Sequence, residues 1–289
     1  MNYYFLYVLT MLLYGSSGVI ASFTSLSSPV LMMLRCAIAT PLLLLLFFRK
    51  KCSFSFLKDR KTAAYLTVGG LCMGSAGIFL FEAFNRIGVG ITALIVNCGP
   101  LLAMMLTPLF FREKLTGRKV GCVLVAALGV FLINGRLGNV SVDAFGFLCA
   151  ICAAVITAFG IICGKKASSA GGIPCALVQV FLSFLVAAVT ALTATGGRIE
   201  VRPGDWLPVL FIGLVNTALG CYMSFESMRH LPAQSVSLMS YLESFFSVLL
   251  SVLILHERPA SVQWLGAALI VGALLLAERK PKTAGMEKR

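Results

Sequence analysis

The chain reads as an all-α integral membrane protein with ten transmembrane helices in two inverted five-helix repeats. Three observations lead there. Ten apolar stretches fill the 289 residues, separated only by short polar joints. Charged residues make up 12% of the chain against 59% hydrophobic, roughly half the ~25% charge of a soluble domain. Landmark residues also recur at a nearly constant offset along the chain.

A hydrocarbon core about 30 Å thick takes about 20 residues of helix at 1.5 Å each. The predicted spans are 3–22, 29–48, 62–83, 88–111, 119–134, 143–163, 174–195, 205–227, 233–255 and 263–278. The first lacks the basic leader of a signal peptide and is expected to be retained. The second opens at Pro29. The third carries Gly70 and Gly74 at the G-x-x-x-G spacing that lets helix backbones approach. The fourth contains Pro100, which lacks an N–H and loosens a backbone hydrogen bond. The fifth and tenth are short for a crossing. The sixth carries Cys149 and Cys152, a C-x-x-C without a second Cys or His pair, so no metal or redox site is expected. The seventh opens at Pro174. Trp206 and Trp264 begin the eighth and tenth, where an amphipathic ring anchors at the membrane interface.

The net charge of +13 does not point to nucleic acid, because the basic residues sit at span ends. With the N-terminus in the cytoplasm, eighteen of the 24 Lys and Arg fall inside, in the joints around 49–61, 112–119, 165–166 and 229 and in the tail. Five fall outside and Arg35 lies within a span. The positive-inside tendency then places both termini in the cytoplasm of a plasma membrane, with the bacterial cytoplasmic (inner) membrane expected. The segment 280–289 reads as a basic cytoplasmic tail.

Glu82 near the end of the third span is answered by Glu226 near the end of the eighth, 144 residues on. Glu113 and Glu257 are related by the same offset, and Gly15 and Pro29 are answered at 145 by Gly160 and Pro174. Duplication of a five-helix unit follows, as residues 1–140 and 141–279. Five is odd, so the second unit enters the membrane inverted. Inverted repeats exchange shapes to open alternately to each side, as in many secondary transporters.

Intramembrane ionisable residues are costly and mark a cavity or a partner. Glu243 lies near mid-depth in the ninth span. At about 100° per residue, Ser240, Glu243, Ser244, Ser247 and Ser251 share one helix face. The carboxyl serves either as a proton-coupling or ammonium-binding group or as a structural, serine-bonded one. Asn97, Pro100, Met104 and Thr107 form a matching face on the fourth span, with Asn97 aligned to Tyr241. Tyr14, Thr157, Asn216 and Tyr222 are further candidates for the lining. Arg35 either holds an anionic group of the solute or pairs with a carboxylate such as Glu82. Glu113 and Glu257 are expected to act as gate or capping elements in opposite leaflets.

The run Ser240-Tyr241-Leu242-Glu243, followed by an apolar stretch and Leu255-His256-Glu257, resembles the ninth-helix signature of the EamA branch of the drug/metabolite transporter superfamily. Gly99-Pro100 through Arg112-Glu113 is a weaker copy. The resemblance spans the whole chain. Ser244 stands where the family often has Pro, which removes one cause of a break in the ninth helix, and His256 where it often has Gly. The resemblance implies a ten-helix inverted-repeat transporter, often an exporter of metabolites or amino acids.

The expected function is secondary active transport of a small organic metabolite, an amino acid or other amine-bearing solute, by alternating access and coupled to protons. An exchanger of phosphorylated or nucleotide-linked metabolites is the alternative, but it calls for several cations in the cavity. A membrane-embedded enzyme is a further one, and the spans show no nucleophile–base pair. No nucleotide-binding loop or H-E-x-x-H is present, and no cofactor is expected. Two repeats in one chain suffice for a pathway, so a monomer is expected to work, in the lipid bilayer and without nucleic acid.

Overall fold

A computed structural model describes residues 2–134, 143–256 and 260–278. The described residues are helical, with short joints. The first half comprises α1 (Tyr3–Ala21), α2 (Ser28–Arg49), α3 (Arg60–Ile87), α4 (Val89–Val96), α5 (Cys98–Phe111) and α6 (Gly117–Asn134). The second comprises α7 (Ala144–Ala167), α8 (Gly172–Thr195), α9 (Trp206–Phe211), a π-helical segment (Ile212–Leu219), α10 (Gly220–His230), α11 (Ala233–Met239), α12 (Leu242–Leu255) and α13 (Ser261–Glu278).

Local chemistry sets the ends. Asn2, Asp59 and Asp143 each accept a backbone N–H two residues on, which caps α1, α3 and α7. Asp143 also receives Arg86 Nη1 at 3.1 Å, and the guanidinium holds its carboxyl below the usual range. Pro29 opens α2, where a missing N–H costs nothing. α5 and α12 end alike, at left-handed Arg112 (φ 55°) and His256 (φ 53°).

Among the described residues, seven helical stretches are long and apolar enough to cross a membrane. Cys98–Phe111 and Ser261–Ala277 are apolar but shorter. The predicted spans 88–111 and 233–255 are not continuous helices. The first breaks at Asn97, between α4 and α5, and the second at Ser240–Tyr241, between α11 and α12. The first break follows from Pro100, whose ring would collide with the carbonyl of Val96, four residues earlier. The helix stops at Val96, and Pro100 falls in the first turn of α5. The second break has no proline. Ser240 Oγ instead donates to Val236 O at 2.9 Å, a back-bond that bends helices, and the Tyr7 hydroxyl lies 3.2 Å from the same Oγ. The two breaks meet, for Tyr241 donates its hydroxyl to Asn97 O at 3.1 Å.

The packing pairs α1 with α12 and α10, and α7 with α5 and α3. α2 packs on α8 and on the π segment, and α3 on α8. α6 packs on α13, and α5 on α11. Small residues allow the closest approaches. A Cβ on Gly15 would lie 2.7 Å from Glu243 O, so α1 and α12 touch backbone to backbone there. Gly70 and Gly74 give the same room to Leu182 and Val186 of α8. The core divides into several clusters, the two largest being one around Tyr7, Met104, Val130, Tyr241 and Ile270 and one around Cys36, Leu43, Leu66 and Val180.

Candidate functional site

A cavity of about 1230 Å³ lies between the packed helices. Its lining takes residues from both halves: Tyr14 of α1, Cys72 of α3, Asn97 and Pro100 at the first break, Thr157 of α7, and Ser240, Glu243, Ser244, Ser247 and Ser251 of the second. Glu243 is exposed, and its surface opens into this space. Among the described lining residues it is the sole charged group; no Lys, Arg or Asp accompanies it.

The break at Ser240–Tyr241 decides the setting of Glu243. In an unbroken span the carboxylate would hang at mid-helix. Here it is the second residue of α12, and the positive end of the helix dipole favours a negative charge within the first turn. Ser244, Ser247 and Ser251 continue the polar face along α12 into the cavity. The Arg35 guanidinium lies within electrostatic reach of the Glu243 carboxylate. Its Nε is buried without a hydrogen-bond partner among the described residues, and it does not belong to the lining.

The residues singled out from the sequence separate into two groups. Tyr14, Asn97, Pro100, Ser240, Glu243 and Ser247 come together on the cavity wall. Tyr241, Asn216, Tyr222 and Arg35 are not among the lining residues. Tyr241, 1% exposed, is turned from the cavity by its hydrogen bond to Asn97. Asn216, 2% exposed in the π segment, spends its Nδ2 on Leu13 O, Ser16 Oγ and Ser17 Oγ at 2.8–3.0 Å and ties that segment to α1. Tyr222 packs against the Cys36–Leu43 cluster and Gly172. Glu82 is not paired with Arg35, since Arg86, one turn on, takes it at 2.6 Å. Glu257 and the tail lie outside the described residues. The cavity also recruits Tyr7, Gln179, Ser224 and Gln263. An isolated glutamine within an apolar span was the available signal for Gln179.

The two ends of the cavity differ. Its lining reaches Ile133 at the end of α6, Ser251 late in α12 and Gln263 at the start of α13, which share one face. Toward the other face it stops at Gly164 and Met228. There Glu113 accepts from Ala233 N (2.8 Å) and Gln234 N (3.2 Å) at the start of α11. Gln234 Nε2 donates to Lys114 O at 3.1 Å. Lys165 at the end of α7 donates to Met228 O in the last turn of α10 and to Leu231 O just past its end, where a cation suits the dipole. Tyr3 stacks on His230 at 3.7 Å. These contacts tie α5, α7, α10, α11 and α1 together across that face.

The chain matches the EamA-like transporter family twice, over residues 1–135 and 144–278. It is 27% identical over 283 residues to the uncharacterized transporter YxxF of Bacillus subtilis, covering 95% of this chain and 89% of that one. It is 25% identical over 210 residues to the probable amino-acid metabolite efflux pump of Escherichia coli K12, covering 68% and 70%. It is also 22% identical over 222 residues to the uncharacterized inner membrane transporter YedA of Escherichia coli K12, covering 76% and 71%. A solved crystal structure aligns with a TM-score of 0.81 over 96% of this chain and 98% of that one, at 19% identity, which speaks to the fold alone. With the family matched in both halves and an apolar helical body around one large cavity, the chain belongs to the EamA-like transporter family and is a membrane transporter rather than an enzyme.

Proposed function

We propose that the protein is a secondary active transporter that exports a small amine-bearing solute, such as an amino acid, by alternating access coupled to protons. One observation carries this reading: the described lining of the cavity holds a single carboxylate, Glu243, and no cation. A single lining anion among serines and two tyrosines suits an ammonium group. The phosphorylated-metabolite alternative wants converging cations, and Arg35 lies behind the wall. The name of the Escherichia coli relative, a probable amino-acid metabolite efflux pump, points the same way.

The two-repeat reading, with units 1–140 and 141–279, is supported by packing that maps onto itself. Shifted by 144 or 145 residues, α1 on α12 becomes α7 on α5, and α3 on α8 becomes the π segment on α2. The helix breaks at Asn97 and Tyr241 and the left-handed ends at Arg112 and His256 obey the same shift. Charge bias supports cytoplasmic termini in a bacterial inner membrane. The face tied by Glu113 and Lys165 is then the inner one, and the conformation is open outward. In this reading Glu243 takes a proton or the solute ammonium in turn, and Ser240, Ser247, Asn97 and Tyr14 contact the solute. Tyr241, Asn216, Tyr222 and Arg35 act from behind, as positioning groups. Pro100 shapes the first break, and Glu113 and Glu257 serve the gates.

The test is transport in sealed vesicles under an imposed proton gradient, with amino acids and simple amines as solutes. Glu243→Gln is expected to abolish gradient-driven transport while the protein inserts and elutes like wild type. Normal, pH-dependent transport by Glu243→Gln would overturn the reading.

A further inference from the structure

A second, open depression on the surface, of about 530 Å³, lies where the end of α5, the start of α6, the end of α7 and the α10–α11 joint meet. It shares no lining residue with the central cavity. Lys114, Lys119, Lys165, Arg229 and His230 line it, and Glu113 is its one acidic group. Both oxygens of Glu113 accept backbone N–H groups of Ala233 and Gln234, and among the described residues it forms no ion pair with the lysines. Among the described residues, Lys114, Lys119 and Arg229 form no ion pair. Two of the basic groups are held in place: Lys165 by the carbonyls of Met228 and Leu231, and His230 by its stack on Tyr3.

Converging cations repel one another, and positive-inside bias asks only that they lie on this side, not that they share a hollow. An anion entering the hollow relieves the repulsion. Two unpaired lysines, the anchored Lys165 and an arginine fork suit the spread oxygens of a phosphate better than a single carboxylate. Basic pockets between membrane helices at this level take phospholipid headgroups. The geometry points to a binding site for a phosphate-bearing anion, either the phosphodiester of an acidic phospholipid or free phosphate. The site is independent of the transport reading and of the solute.

The test uses the full chain purified in a neutral detergent. Melting temperature is measured with added phosphatidylglycerol, with phosphatidylcholine and with inorganic phosphate, for wild type and for Lys119→Gln/Arg229→Gln. Wild type is expected to gain on the order of 5 °C at a hundredfold excess over the Kd of the anion. The double variant is expected to gain nothing. A gain with phosphatidylglycerol alone identifies the headgroup, and a gain with inorganic phosphate identifies the free anion. No gain with either, or an equal gain in the double variant, overturns the assignment. If the double variant does not fold, Lys119→Gln alone is compared with wild type by native mass spectrometry. Equal retention of phosphatidylglycerol then counts against the site.

Discussion

Glu113 is the most direct handle on the closed face. Glu113→Ala removes two acceptors at once, leaving the N–H groups of Ala233 and Gln234 without their 2.8 and 3.2 Å partners. Loss of a helix cap costs about 0.5–2 kcal/mol, and a hydrogen bond to a charged group is worth about 1.5–3 kcal/mol. The carboxylate is half-buried, so water replaces part of what is lost, and a net cost of about 2 kcal/mol is expected. That corresponds to about a 30-fold shift between the two conformations, provided the cap exists in one of them only. Cys72, half-buried on the cavity wall, is a native reporter. Its labelling by an impermeant maleimide is read by mass spectrometry, with the reagent on one side of sealed vesicles and then the other. In wild type, label enters from the side of Ile133 and Gln263. In Glu113→Ala the ratio of the two rates moves about 30-fold toward the other side. An unchanged ratio in a folded variant would refute the idea that this cap holds the face shut.

Further predictions follow from the same contacts. Gly15→Ala places a Cβ 2.7 Å from Glu243 O and 2.9 Å from Ser247 N, backbone atoms that cannot step aside. It should cost about 1–3 kcal/mol in thermal unfolding and slow transport by displacing Glu243. Tyr241→Phe removes the hydroxyl that bridges the two helix breaks. It should cost about 1 kcal/mol, with the solute KM changed less than by Glu243→Gln. Asp143 is held below the usual carboxylate range by Arg86. The stabilisation is therefore complete above the unfolded value of about 3.9 and lost as pH falls through the lower folded value. The Tm gap between wild type and Asp143→Asn should be full at pH 6 and close in strong acid. A gap that widens on acidification would contradict this.

The route from residues to helices was open in some places and hidden in others. Hydropathy marks most of the helical segments, because a chain facing lipid must be apolar along its whole crossing. The first break was half visible: Pro100 announces a disturbance, but the interruption falls at Asn97, since the collision is with the carbonyl four residues back. The second was hidden, because Ser240 bends its helix through contacts that include Tyr7, 233 residues away. Glu243 stood out as an acid on a serine face, and that face turns into the cavity.

Tyr241, Asn216 and Tyr222 show the limit. Each is a polar or amphipathic group in an apolar span, and so has the same signature in one dimension as Tyr14 or Asn97. Which of them looks inward depends on the rotation of its helix against its neighbours. By itself, the sequence determined the apolar helical body, the positions of its joints and the presence of one acid deep in the second half, because these depend on residue type and spacing. Only the tertiary structure decided that Glu243 sits in the first turn of a broken helix, facing a cavity with no cation among its described lining residues. A break and a facing surface are made by partners that the order along the chain keeps far apart.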